Sequence, residues 1–409
     1  MPSLEEAFTT AIAQGKISGT VLMATNETGS FRYSRAFGPR SLHGTEEALK
    51  LDAFLVFASF TKLITTIAAL QLVERGKWTL DEDVFDILPE LKRLPILAEM
   101  KEGRAVLTKR ENNITLRHLL THSSGVGYSM TSTLIQEYHT SIGLPPSAPF
   151  PKVVDRFGCP LLFEPGSSWQ YGGGLDWVGL GVARIAQTTL EEYCQQNIFE
   201  PLRITDTTFW PERQPVLRAR LAGMTVRDSN VSDGQGMMLP YSGPRPGGEY
   251  AEEFGGQGAY GTVPDFLKIL QSLLADDEKL VKRETTAEMF KPQLNCESQK
   301  ALQATFGSND RSRLFIGEFP EHVQYDWGLG GLLTMQDVKI NGIQWRKKGC
   351  MVWSGLPNLF WFLDREAGLC GVYGTQALPP GDSGTGEMIA FFDKTMYELY
   401  AGHKDNINR

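Results

Sequence analysis

The chain has 409 residues, 41% of them hydrophobic, 22% charged and 10% aromatic, with a formal net charge of -8. That is the composition of a soluble globular protein, and no stretch approaches the ~20 consecutive apolar residues that a membrane-spanning helix needs. The acidic balance opposes non-specific nucleic-acid binding, which leaves a small molecule or an acyl group as the expected substrate.

At the N-terminus "SLEE", from Ser3 to Glu6, fits a helix capping box, and no basic-then-apolar leader pattern precedes it. The first helix is therefore structural, and the protein is expected inside the cell. Next, "GTVLMATNETGSFRYSRAFG" contains two β-rich runs broken by a turn, which reads as a hairpin. A helix follows in "FASFTKLITTIAALQLVERGKWTL", residues 57 to 80, and Gly76 suits its left-handed C-terminus. Residues 80 to 250 read as helical, with Pro/Gly-rich connections at 143–151 and 242–250 suited to lining a pocket. From residue 254 a glycine-rich turn enters an amphipathic helix with Phe266, Ile269, Leu270, Leu273 and Leu274 at helical spacing. Strand-like runs near 350–363 and 369–376 and a final helix around 384–400 complete the chain.

Strands at both ends and helices between them predict an α/β (α+β) fold in one catalytic domain, 1–409, with an antiparallel sheet flanked by helices. The sheet unit is expected from 1–57 plus 255–409, with a mainly helical unit at 58–254 and the active site between them. The five cysteines, Cys159, Cys194, Cys296, Cys350 and Cys370, have no CxxC spacing and predict reduced, mostly buried thiols. His118 and His122, four residues apart, are read as packing or locally hydrogen-bonded, and no metal or cofactor is expected.

The chemistry begins at Ser59 and Lys62. On a helix, positions three apart share a face with Cβ atoms about 5–6 Å apart, so the lysine reaches the hydroxyl. A buried lysine that has lost its proton activates a serine, and backbone N–H groups at a helix start receive the oxyanion. The competing reading is a capping serine and a snorkelling lysine. Tyr171, in "EPGSSWQYGGGLDW", is a candidate proton shuttle beside the lysine or a packed junction residue. In "KKGCMVWSGLPNLFWFLD", a strand edge at Trp353 and Gly355 offers the Leu356 N–H as a second oxyanion donor, with Ser59 N–H the first; its alternative is a strand with a bulge. Trp169, Trp177, Trp327, Trp353, Phe360 and Trp361 are candidate walls of an apolar pocket or core residues.

Together, S-x-x-K, "ITLRHLLTHSSGVGY", "EPGSSWQYGGGLDW", "EFGGQGAYGTVPDF" and "WSG" resemble the serine β-lactamase-like superfamily in order and spacing. Gly173 stands where the β-lactamases carry asparagine, and Trp353-Ser354-Gly355 stands where they carry Lys-Thr-Gly, which removes the amide and the cation of penicillin chemistry. The Trp-x-Gly form is similar to the esterase branch. "ASFTKLITTIAALQLVERG", "YGGGLDWVG" and "GLPNLFWFLDREAGLCG" most resemble the fungal polyketide-pathway acyltransferases, typified by the lovastatin-pathway enzyme.

This resemblance implies Ser59 as acylated nucleophile, Lys62 as its base and Tyr171 as the group that deprotonates an incoming alcohol, with Tyr138 in the acceptor pocket beside Trp353, Gly355 and Gly173. The implied reaction moves an acyl group from a thioester, on coenzyme A or the acyl-carrier domain of a polyketide synthase, to an alcohol of a secondary metabolite. A carboxylesterase using the same acyl-enzyme, and a non-catalytic binding relative, are the alternatives. A basic patch of Arg346 and "KKG" at 347–349 is a candidate docking point for an acidic carrier.

Overall fold

Antiparallel pairing brings the two ends of the chain together. The computed structural model describes all residues except 1–2, 45–46, 148, 232–235, 245–247, 308–314, 341–342 and 408–409. Strands β1 (Thr20–Asn26), β2 (Arg32–Phe37), β3 (Tyr325–Trp327), β4 (Leu332–Thr334), β5 (Met351–Gly355), β6 (Leu359–Asp364) and β7 (Leu369–Thr375) form one sheet in the order β2-β1-β7-β6-β5-β4-β3. Thr20 of β1 lies opposite Phe37 of β2 on one side and Thr375 of β7 on the other, so the N-terminal hairpin is held by the C-terminal strands.

The helices include α1 (Leu4–Ala13), α2 (Thr61–Glu74), α3 (Leu116–Leu120), α4 (Gly174–Ala186), α5 (Val263–Ala275) and α6 (Ser383–Ile407); α1, α5 and α6 pack on the sheet, and α2 and α3 pack on α4. Every residue of β5, β6 and β7 is buried, because both faces of the sheet are covered. Tyr373 meets Phe8 of α1 at 6.1 Å and Phe392 of α6 at 6.2 Å. Trp361, one register position away, turns to Phe266 of α5 at 6.2 Å. Strands buried on both sides read as continuous apolar runs, which is why these segments lack alternation. Helix α2 is a core helix too: Thr61 to Leu72 are buried without interruption, the polar Thr61, Lys62, Thr65, Thr66 and Gln71 among them.

Several local expectations hold. Ser3 and Glu6 close the capping box. Gly76 has φ +63° just beyond α2. Phe266, Ile269, Leu270, Leu273 and Leu274 all point into the core. The five cysteines are free, with Cys194, Cys350 and Cys370 buried and Cys296 exposed. Among the described residues no helix is long and apolar enough to cross a membrane.

Two readings are corrected. Within the stretch read as helical, Ile96–Lys101 and Arg104–Thr108 pair as a β-hairpin. Its residues are largely good helix formers, but Glu102 and Gly103 both take positive φ, 51° and 75°, the geometry of a two-residue hairpin turn, and pairing overrides propensity. Of the basic patch at 346–349, Arg346 is not at the surface, although Lys348 is exposed and Lys347 partly so. Arg346 is 1% exposed and donates to Asp393 of α6 at 2.7 Å and to the Glu318 carbonyl at 3.0 Å, while Lys347 donates to Asp337 at 2.8 Å. The connections at 143–151 and 242–250 include 148 and 245–247, which lie outside the described residues.

Removing one partner of a fully buried ion pair strands the other charge, at about 3–5 kcal/mol. Asp393→Ala is therefore expected to lower the unfolding free energy by about that amount, read from the urea midpoint at unchanged slope.

Candidate active site

Ser59 sits in a tight turn, Ala58–Phe60, that runs directly into α2. The turn is braced from the neighbouring Ala259 segment. Phe57 N–H donates to the Ala259 carbonyl at 3.1 Å, and Ala259 N–H donates at 3.0 Å to the Thr61 hydroxyl, which in turn donates to the Ala58 carbonyl at 2.6 Å. Ala58 itself has φ +46°, a left-handed conformation that costs a residue with a Cβ about 1–2 kcal/mol. The strain falls on the residue immediately before Ser59, and the Ala259 bonds hold it in place.

One helical turn on, Lys62 is 2% exposed. Its Nζ lies 3.2 Å from Ser59 Oγ and donates to Tyr128 OH at 3.1 Å and the Gly256 carbonyl at 2.7 Å. A single carboxylate holds both of those acceptors: Asp176 accepts from Tyr128 OH at 3.2 Å and from Gly256 N–H at 2.9 Å. Asp176 is on α4 and fully buried. Burial pushes its carboxyl above the usual range, against the pull of Lys62 and of its two donors. Burial, reinforced by Asp176, also pushes the Tyr128 phenol well above its ordinary value.

Tyr171 completes the cluster. Its hydroxyl donates to Ser59 Oγ at 2.7 Å and accepts from Trp353 Nε1 at 3.2 Å, and Lys62 Nζ stands 4.6 Å from its ring centre. The glycines after Tyr171 allow this approach. A Cβ at Gly172 would run into the Val126 carbonyl oxygen, and one at Gly173 would lie 2.7 Å from the Phe157 ring. On the sheet side, β5 presses against the nucleophile turn so closely that a Cβ at Gly355 would strike the Phe57 carbonyl.

The resulting cleft is lined by Ser59 and Tyr171 together with Tyr250, Phe315, Trp353 and Leu356 among others, and no charged side chain lines it among the described residues. Ser59, Lys62, Tyr171, Trp353, Gly355 and Leu356 thus come together. Gly173 packs under Phe157 and does not line the cleft. Tyr138, half-buried on the Thr133–Ser141 helix with its ring 6.1 Å from His139, also lies outside the lining. Of the six candidate aromatic walls only Trp353 lines the cleft; Trp177, Trp327, Phe360 and Trp361 are core residues, and Trp169 packs on Trp327 at 5.6 Å.

Sequence reasoning assigned no role to Tyr128, Asp176 or Gly256, although each stands in a quoted motif: Tyr128 ends "SSGVGY", Asp176 follows Tyr171 by five, and Gly256 is in "FGGQG". The contacts of Tyr128 and Gly256 with Lys62 cross 66 and 194 residues of chain, and Asp176 reaches it only through those two, relations no local pattern carries. His118 closes a capping box with Thr115, and His122 Nδ1 accepts from Gly172 N–H at 3.3 Å, so both are used locally. No group of three or more His, Cys, Asp or Glu side chains suited to a metal occurs among the described residues.

Comparison with known proteins covers nearly the whole chain. Lovastatin esterase of Penicillium rubens is 39% identical over 98% of this chain and 99% of its own. Monacolin J acid methylbutanoyltransferase of Aspergillus terreus is 36% identical over 97% of this chain and 95% of its own. The solved structure of a simvastatin synthase mutant from Aspergillus terreus superposes with a TM-score of 0.87 at 36% identity, covering 98% of this chain and 97% of that one. A profile described as Beta-lactamase matches residues 4–390, spanning the strands of both chain ends and the segments that carry Ser59, Lys62 and Tyr171, and the chain belongs to the Beta-lactamase family.

Proposed function

We propose that the protein is a serine acyltransferase that moves an acyl group from a thioester, through a Ser59 acyl-enzyme, to an alcohol of a polyketide or related secondary metabolite. The observation that carries this reading is the double contact on Ser59 Oγ, from Lys62 Nζ at 3.2 Å and Tyr171 OH at 2.7 Å, at the floor of a cleft without charged lining among the described residues. The division into a sheet unit, 1–57 plus 255–409, and a helical unit, 58–254, is part of the proposal, since Ser59 and Tyr171 enter the cleft from one and Trp353 and Leu356 from the other.

The three neighbours of Lys62 Nζ suit an amine that gives two N–H bonds, to Tyr128 and Gly256, and turns its lone pair to the Ser59 hydroxyl. Ser59 Oγ attacks the thioester carbonyl, and its proton passes to Lys62 and then to the departing thiolate as the carbon–sulfur bond breaks. The backbone N–H groups of Ser59 and Leu356 receive the oxyanion in both tetrahedral intermediates. The acceptor alcohol then attacks the acyl carbonyl and gives its proton to the Tyr171 oxygen, which accepts the Trp353 N–H, while Tyr171 passes its own proton to Ser59 Oγ as the ester bond to Ser59 breaks. An apolar cleft keeps water from competing with the alcohol.

Hydrolysis by the same acyl-enzyme is the second reading, favoured by the 39% identity to lovastatin esterase. Monacolin J acid methylbutanoyltransferase supports the first, and an intact nucleophile cluster argues against a non-catalytic binding relative.

Intact-mass spectrometry after incubation with short acyl thioesters is expected to show one adduct on the parent protein and none on Ser59→Ala. The adduct clears on adding a polycyclic alcohol, with a new ester formed; clearance at the same rate in buffer alone identifies an esterase. Tyr128→Phe keeps the ring but removes one of the two links between Lys62 and Asp176, leaving that through Gly256, and its acylation rate is expected to fall ~10- to 100-fold in a stopped-flow assay with an activated ester, with the fold retained by circular dichroism.

A further inference from the structure

Against the Tyr171 ring lies a buried imidazole that the chemistry above does not use. The His122 ring centre is 4.6 Å from that of Tyr171, and its other faces meet Trp327 at 4.9 Å and Trp169 at 6.1 Å. The side chain is 2% exposed, and Nε2 has no hydrogen-bond partner among the described residues. Its backbone sits at φ +60°, unusual for a residue with a Cβ, directly after the α3 turn. A histidine held in a left-handed conformation, in an aromatic box that leaves one nitrogen unpaired, is costly on two counts.

What the position obtains is the bond to Gly172. Nδ1 accepts the Gly172 N–H at 3.3 Å, and the Gln170 N–H donates to the His122 carbonyl at 3.1 Å, so residue 122 grips the chain on both sides of Tyr171. Because Nδ1 accepts, the proton of the neutral ring belongs on Nε2. Resting on the acyl-enzyme reading, we propose that His122 is a positioning residue for Tyr171: as the neutral Nε2–H tautomer it clamps Gly172 and holds the phenol at bonding distance from Ser59 Oγ. Burial keeps the imidazole neutral by drawing its proton affinity well below the ordinary value. Catalytic geometry is sensitive at this scale, since a displacement of about 1 Å costs ~100-fold in rate.

The variants separate clamp from filler. His122→Phe keeps the ring and loses the acceptor; His122→Asn loses the ring, keeps a short acceptor and tolerates the left-handed backbone. Single-turnover kinetics of acylation by a short acyl thioester and of discharge to an alcohol are measured on both variants and the parent. Discharge is expected to slow ~10- to 100-fold in His122→Phe at little changed KM for the alcohol, and to return to within about threefold of the parent in His122→Asn. A His122→Phe protein that folds and discharges at the parental rate overturns the proposal, as does an Asn variant no faster than Phe. Should His122→Phe not fold, nitrogen NMR of the histidine-labelled parent decides: an unprotonated Nδ1 on His122 at the working pH supports the clamp, and a proton on Nδ1 overturns it. A parent that forms no acyl adduct defeats the acyl-enzyme reading, a different failure from either of these.

Discussion

A lysine amine placed inside the protein has to be surrounded by partners, and most of the site is organised by that requirement. Lys62 sits on the first turn of a helix buried over twelve successive positions, where an unpaired amine would cost several kcal/mol. The fold supplies Tyr128 and the Gly256 carbonyl, and then a second tier, Asp176, that holds both of them. Three chain segments far apart in sequence are locked to one nitrogen, and the serine beside it is the exit from an otherwise closed network.

The sheet meets this network from the other direction. β5 is central enough to be buried on both faces, and its last residues reach the nucleophile turn because Gly355 lets the strand lie against Phe57. Trp353, two residues earlier on the same strand, delivers its indole N–H to Tyr171. Rigid β pairing on one side and a core helix on the other suit a site whose reacting atoms must stay fixed, and the strained backbone at Ala58 lies at the seam between them.

Legibility in the sequence followed the range of each interaction. The capping box at Ser3, the glycine stop at Gly76 and the amphipathic helix from Val263 are decided by residues within one or two turns, and each was readable. The hairpin at residues 96–108 was not, because its helix-forming side chains are outweighed by cross-strand pairing. Nor was the fate of Arg346: three adjacent cations look like a surface patch until α6 brings Asp393 against the first of them.

By itself the sequence determined that a serine and a lysine share one helical face, that Tyr171 is followed by glycines that permit close approach, and that strands stand at both chain ends. Helical periodicity, backbone freedom at glycine and apolar patterning are local properties, written residue by residue. Only the tertiary structure decided which tyrosine meets Lys62 on its inner side, that Asp176 stands behind both of the lysine's other acceptors, and that Tyr138 stays outside the cleft. Those outcomes depend on packing between segments 48 to 194 residues apart, where what fixes a contact is the shape left by everything else in the core.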